Sequence, residues 1–374
     1  MYSRSPPEPE SAAGGHRLSV RMSHLFTPLT LRGLTVGNRV WVSPMCMYSA
    51  EDGLPGDWHL VHLGARATGG AGLVIAEATA VTPEGRISPA DTGLWNDAQA
   101  SAWERVTTFV RSQGAAAGVQ LAHAGRKAST QRPWDGRGAV DPVDGGWATV
   151  APSPVAFDGL PEPEELASDD VAGVVRAFAE AAARADAAGF DVAEVHAAHG
   201  YLLHQFLSPL SNHRTDAYGG GFDGRVRAVV EVVDAVRAVW PERKPLLIRL
   251  SATDWIEGGW DVEQTVELSR LLVGHGVDLV DVSSGGLAPH QALEVGPGYQ
   301  VPFARAVREG SGLPTAAVGL ITEPEQAEQV VSEGSADAVL LARAVLRDPM
   351  WPLRAAHALG VAVEWPRQYA RTGF

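Results

Sequence analysis

The sequence predicts an α/β protein of the (β/α)8, or TIM-barrel, class with a long capping loop between strands three and four. Three observations carry that prediction. Eight short, apolar, β-branched runs alternate with stretches of helical periodicity, the pattern of an all-parallel sheet. Each run ends in polar residues or glycine, where barrels of this kind place their chemistry. The turn after the first run, Ser43-Pro44-Met45-Cys46-Met47-Tyr48, lacks the glycine fingerprint that an open dinucleotide-binding sheet requires.

Residues 1–23 are rich in Pro, Ser, Gly and charge and lack the apolar core of a signal peptide. They read as a disordered extension ahead of a single domain, residues 24–374. Strands are expected at Arg39–Ser43, Leu73–Val81, Gly118–Ala122, Asp191–Val195, Leu246–Leu250, Leu279–Val282, Thr315–Val318 and Ala338–Leu341. Between them, Val171, Val174, Val175 and Phe178 share one helical face, with Ser168 as N-cap and Gly189 as stop. Val226, Val229, Val230, Val233 and Val236 repeat the pattern before Trp240-Pro241. Val262, Val266, Ser269 and Val273 do so before Gly276. Residues 124–168 differ. They hold many Pro, Gly, Asp and Trp residues and no helical period, which marks a lid or binding loop.

The chain has 374 residues, 45% of them hydrophobic, and a formal net charge of −14. Such a surface repels phosphate backbones, so nucleic acid is not an expected partner. No apolar run has the length of a membrane span. With Cys46 as the one cysteine, an intramolecular disulfide, a cysteine-ligated iron–sulfur cluster and a thiolate zinc site are excluded. A lone cysteine also fits a reducing cytoplasm.

Reading only the strand ends yields one consistent set. Cys46 and Tyr48 follow strand one, Glu77-Ala78 lie on strand two, and Gln120, His123, Arg126 and Lys127 close strand three. His196, His199 and Tyr201 follow strand four, and Arg249 sits inside strand five. Ser283-Ser284-Gly285-Gly286 follow strand six, Gly319 strand seven and Ala342-Arg343 strand eight. A guanidinium inside an apolar strand costs several kcal/mol unless it is paired. Two readings compete for Arg249: a salt bridge to a buried carboxylate such as Glu77, or an anionic ligand. Gly319 and Arg343 speak for the ligand, because barrels commonly hold phosphate after strands seven and eight. A phosphate at one end and a second partial negative charge near Arg249 describe flavin mononucleotide. Gln120 adds an amide that both donates and accepts. The spacing His196-x-x-His199 also invites a metal. In a strand, residues i and i+3 face opposite ways, so the two converge only where the strand ends between them. No carboxylate or third histidine has clear spacing to close a set, and no metal is expected.

The longer motifs carry a family resemblance. They are Ser43-Pro44-Met45-Cys46-Met47-Tyr48-Ser49, Gln120-Leu-Ala-His-Ala-Gly-Arg-Lys127 and Gly189-Phe-Asp-Val-Ala-Glu-Val-His-Ala-Ala-His-Gly-Tyr201. Leu207-Ser-Pro-Leu-Ser-Asn-His-Arg-Thr-Asp216, Gly298-Tyr-Gln300, Ala317-Val-Gly-Leu-Ile-Thr322 and Leu341-Ala-Arg343 complete them. Together they resemble the Old Yellow Enzyme family of FMN-dependent ene-reductases, in its bacterial, thermophilic-like branch. The resemblance spans residues 24–374.

It implies a barrel that binds FMN non-covalently, takes electrons from NADPH and reduces the C=C bond of activated alkenes. Enones, maleimides, quinones and nitro compounds are the implied substrate classes. By position, Pro44, Met45, Cys46, Ala78, Gln120, His196, Arg249, Ser284, Gly285, Gly319, Ala342 and Arg343 would line the flavin. His196 and His199 would grip the substrate oxygen, Tyr201 would donate the proton, and Tyr48 would close the pocket. The tail, residues 364–374, resembles a segment through which Arg371 would enter a neighbouring subunit's substrate site in a homodimer or homotetramer. Two departures stand out: Phe374 replaces the branch's usual Trp, and Gly219–Arg225 lacks the usual Glu-Asn pair before Arg225. Two other readings stay open, a non-catalytic flavin-binding barrel or redox sensor, and a quinone or nitro-compound reductase of the same family. Related dienoyl-CoA reductases and amine dehydrogenases carry a cysteine-bound cluster that one cysteine cannot build.

Overall fold

The structure is a computed structural model and describes residues 23–371. The expectations for residues 1–22 and for Phe374 lie outside the described residues. Ser23 already joins the body, its hydroxyl donating to Glu328.

Eight parallel strands close into a barrel: β1 (Val40–Val42), β2 (Leu73–Ala80), β3 (Ala116–Ala122), β4 (Val192–Ala197), β5 (Leu246–Ser251), β6 (Leu279–Ser283), β7 (Thr315–Ala317) and β8 (Ala338–Leu341). Consecutive strands are neighbours, and β8 pairs with β1. Each predicted strand is present, its bounds within two residues of those expected. Around the barrel run α1 (Asp57–Thr68), α2 (Asp97–Ser112), α3 (Ser168–Ala187), α4 (Leu202–Leu207), α5 (Phe222–Val239), α6 (Val262–Val273), α7 (Val301–Ser311), α8 (Pro324–Ser332), α9 (Arg343–Arg347) and α10 (Trp351–Ala358).

Side chains alternate across each strand, and the two faces meet different surroundings. Trp41, Ile75, Val192, Leu247, Leu279, Ala316 and Leu340 fill the lower barrel. A hairpin of Leu29–Leu31 and Leu34–Val36 closes that end, with Leu31 and Val36 packed into the same cluster. The opposite faces bury against the helices. Phe178 of α3 and Val229, Val233 and Val236 of α5 are fully buried there, each side chain contributing about 1.5–3 kcal/mol.

Two helical expectations need correction. Ser168 does not cap α3; Ala167 occupies the N-cap, and its N–H donates to Asp170. The Ser168 hydroxyl instead reaches Asp216 at 3.0 Å. On α6 the inner face is Thr265, Leu268, Ser269 and Leu272, while Val273 at the helix end is 49% exposed. Ser269 is buried as expected, but the apolar stripe there is carried by Leu268 and Leu272 rather than by the valines.

The connection 124–168 contains no α-helix before α3 begins at Ser168. It holds two short 3-10 turns, Gly125–Lys127 and Pro142–Asp144, and a parallel pair of Val150–Ala151 with Glu164–Glu165. Arg126 pins it, donating to the carbonyls of Val155 (2.9 Å) and Leu287 (2.8 Å). Among the described residues, no helix is long and apolar enough to cross a membrane.

Candidate active site

Strand alternation builds a polar layer above the apolar barrel floor. On β4, Val192, Glu194 and His196 share a face; on β5, Leu247, Arg249 and Ser251 do; on β6, Leu279, Asp281 and Ser283 do. Register then brings partners together. Gln120 lies opposite Glu194, Arg249 opposite His196, and Asp281 opposite Arg249. Gln120 Nε2 donates to Glu194 Oε1 at 2.8 Å. The Arg249 guanidinium lies 3.0 Å from Asp281, with side-chain exposures of 6% and 0%.

Glu77, the carboxylate that the salt-bridge alternative named for Arg249, is elsewhere, and Asp281 takes that place. The β2–β3 register shifts between Ala76 and Ala78, which leaves Glu77 without a partner on β3. Its carboxylate accepts the Met47 N–H at 2.9 Å and lies 3.2 Å from His59. Glu77 therefore steadies the loop after β1, where Tyr48 sits at φ +49°. Pro44, Met45, Cys46 and Tyr48 are together on that loop, and Cys46 and Tyr48 pack with Ala78 and Tyr201 in one apolar cluster.

Strand β4 ends at Ala197, between the two histidines, so they converge. The His196 ring centroid lies 5.2 Å from His199 and 5.0 Å from Tyr201, both edge-on. The next turn is tight: φ is +59° at His199 and +72° at Gly200. A Cβ at Gly200 would meet the Gly286 carbonyl oxygen at 2.2 Å, so only glycine fits. Lys127 Nζ ties this turn to the one after β6, donating to the carbonyls of His199 (2.8 Å) and Gly286 (2.9 Å).

The hydrogen bonds assign one tautomer. Ala198 donates its N–H to His196 Nδ1 at 3.3 Å, which leaves the His196 proton on Nε2. His199 Nε2 contacts the Ser283 hydroxyl at 2.7 Å. Burial, and then the Arg249 charge, push both imidazoles well below the usual histidine range, so both are neutral at pH 7. Burial pushes the Tyr201 phenol well above its usual value, and nearby Cys46, Tyr48 and Asp91 add to the shift. Burial and the neighbouring Arg126 lower Lys127 to about 8.

A cavity of about 260 Å³ lies beyond β7 and β8, lined among others by Ser283, Gln300, Gly319, Ala342, Arg343 and Arg347. Gly319 has φ +112°, and a Cβ there would come within 2.7 Å of Gln300 Nε2. Among the described residues, neither Arg343 nor Arg347 has a carboxylate partner. Two uncompensated guanidinium groups and a bare glycine backbone fit a phosphate monoester. Ser284 donates to Gln300 at 2.7 Å beside this cavity, and the Gly285 N–H is used by the Thr253 carbonyl. The donor set thus fits FMN: phosphate at one end, Arg249 and Gln120 at the other. Arg371 is exposed and forms no ion pair among the described residues.

Glu194, Asp281 and Gln300 were not singled out from the sequence as site residues. For the first two a signal exists: each lies two residues before a strand-end site residue, on the same face.

A model of the family described as NADH:flavin oxidoreductase / NADH oxidase matches residues 24–361. The chain is 48% identical over 350 residues to the NADPH dehydrogenase of Geobacillus thermodenitrificans, covering 93% of this chain and 98% of that one. Among solved structures it is similar to morphinone reductase, at TM-score 0.76 and 30% identity, covering 93% of this chain and 92% of that one. Another morphinone reductase structure holds tetrahydroNAD. A 2-naphthoyl-CoA reductase shares the fold at TM-score 0.81 and 24% identity; 90% of this chain matches 52% of that longer one.

Proposed function

Because the chain belongs to the NADH:flavin oxidoreductase / NADH oxidase family, within the Old Yellow Enzyme group, we propose that it reduces the C=C bond of alkenes activated by a carbonyl or nitro group. It is an FMN-dependent oxidoreductase with NADPH as reductant. The observation that carries the finer reading is the ring cluster: two neutral imidazoles and one protonated phenol, with His196 within 5.2 Å of each of the other two rings at one barrel mouth.

FMN, held by Arg249, Gln120 and Arg343, would supply the hydride chemistry that couples NADPH oxidation to reduction at the substrate's β-carbon. The chain's own residues manage the charge and the proton. Negative charge grows on the carbonyl or nitro oxygen. His196 offers Nε2–H to that oxygen, and His199 stands beside it. One well-placed donor in such a site is worth about 2.7–4 kcal/mol. Tyr201, which keeps its proton at neutral pH, delivers it to the α-carbon as general acid. The alkene gains one hydride and one proton, and NADPH leaves as NADP+. Ile87, Ala122, Ala124 and Ala128 pack around Tyr48 and Tyr201 and limit water there. Arg371 is assigned to the substrate site of a neighbouring copy in a homo-oligomer.

Anaerobic stopped-flow tests the reading. NADPH should bleach the flavin, and cyclohexenone or an N-substituted maleimide should restore its colour with one saturated product per NADPH. A flavin that NADPH reduces, and that only quinones or nitro compounds reoxidise, would overturn the alkene assignment. Light scattering that finds only monomer would remove Arg371 from the site.

A further inference from the structure

We propose that Glu194 and Asp281 form a one-proton counter-ion for Arg249, a carboxyl pair that carries a single negative charge and sets the field at the flavin end of the barrel. The proposal rests on the reading that Arg249 faces bound FMN, and it extends that reading to the groups behind the guanidinium.

The charges in the barrel do not balance if every group is ionised. Glu194 and Asp281 have no exposed surface, and Arg249 is 5% exposed. The interior positions of β3 through β6 supply no other cation: they are Ala116, Gly118, Gln120 and Ala122; Val192, Glu194 and His196; Leu247, Arg249 and Ser251; Leu279, Asp281 and Ser283. His196 is neutral. Two ionised carboxylates against one guanidinium would leave a negative charge buried without compensation.

The unpartnered atoms point the same way. Glu194 Oε2 and Asp281 Oδ1 are buried without a hydrogen-bond donor, and Asp281 Oδ2 has only the Arg249 Nε at 3.0 Å, outside hydrogen-bond alignment. The two carboxyl groups are within hydrogen-bonding reach of each other. Ionised carboxylates only accept, so such a contact requires a proton on one of them. One shared proton converts an acceptor to a donor, satisfies two orphaned oxygens and makes the three-group cluster neutral. Burial pushes both carboxyls above their ordinary range, in keeping with a retained proton.

The pair acts through its neighbours and touches neither substrate nor reacting atoms. It halves the negative charge that would otherwise oppose Arg249. It also holds Gln120, whose Nε2 is committed to Glu194, so the rest of that amide is oriented in advance.

The test uses the whole chain with Glu194→Gln, Asp281→Asn and the double variant, all close in shape to the wild type. Infrared spectra of the FMN-free protein should contain a buried protonated-carboxyl C=O band, absent from each single variant. This band needs no flavin, and in the wild type it needs no variant. With FMN bound, each single variant should keep the flavin midpoint potential at pH 7 within twofold in the reduction equilibrium constant, because one carboxylate still balances Arg249. The double variant should favour reduction at least tenfold, about 30 mV for a two-electron couple. Absence of the band from the wild type overturns the shared proton. So do single variants that each shift the potential as far as half the double, because both groups were then ionised. A normal band pattern with a potential unmoved even in the double variant overturns instead the placement of Arg249 against FMN.

Discussion

Asp254 lies 2.9 Å from His204 Nε2, and both side chains are wholly buried. The other ring nitrogen of His204 accepts the Gly200 N–H at 2.8 Å. Gly200 stands between His199 and Tyr201, so this pair anchors the turn that aims the candidate oxygen grip and the candidate acid. Asp254 also accepts from the Ser208 hydroxyl (2.6 Å) and the Trp260 N–H (2.8 Å). Asp254→Asn should lower unfolding free energy by about 1.5–3 kcal/mol, the usual worth of a hydrogen bond to a charged group. Burial alone raises the Asp254 pKa, but the hydrogen bonds donated by His204, Ser208 and the Trp260 N–H bring it below the usual carboxylate value. A carboxyl depressed on folding contributes stability above its unfolded pKa of about 3.9, lost as pH falls through the folded value. Chemical denaturation should therefore give wild type and variant curves that converge on acidification below about pH 4. Equal stability at pH 7 would discard the anchor.

Tyr201→Phe should separate the two half-reactions. Flavin reduction by NADPH needs no phenol and should proceed at the wild-type rate. Alkene reduction should slow by about 10²–10⁴-fold, the range for loss of a positioned general acid. Single-turnover kinetics with each substrate in turn makes the distinction. Equal slowing of both halves would point to a packing defect at the Tyr201–His196 contact.

The two imidazoles are held neutral by burial and by Arg249. Protonation would make either a stronger donor, so a normally titrating histidine would tighten binding as pH falls through about 6.5. Affinity for a non-ionising ketone should instead stay level through that pH. Flavin absorbance titrations at several pH values report it, and tightening toward acid would contradict the neutral pair.

Arg343→Ala removes one of two guanidinium groups at the 260 Å³ cavity that have no carboxylate partner among the described residues. A hydrogen bond to a charged group is worth about 1.5–3 kcal/mol, so FMN affinity should fall about 10- to 150-fold. Fluorescence titration of the FMN-free variant measures this. Riboflavin, which has no phosphate, should bind wild type and variant alike; an equal loss for riboflavin would place Arg343 away from the phosphate.

Much of this arrangement is legible in the linear order of residues. Eight apolar runs and their polar ends determined the barrel, because strand periodicity and helix periodicity are local properties of neighbouring residues. The motif around His196, His199 and Tyr201 marked the site, since a strand must stop between two histidines for both to face one mouth. What the sequence left open is which groups meet across the barrel. Two readings of Arg249 compete in the sequence, an anionic ligand and a buried carboxylate such as Glu77, and the carboxylate beside it is Asp281. The reason is register. A shift between Ala76 and Ala78 frees Glu77 toward His59 and Met47, and the β5–β6 pairing sets Asp281 opposite Arg249. Likewise Gln120 meets Glu194 through a register that joins residues 74 positions apart. Composition and period determine which elements form and which of their faces turn inward. Only closure of the barrel decides which buried charges neutralise one another, because Coulomb and hydrogen-bond partners are set by distances in space rather than along the chain.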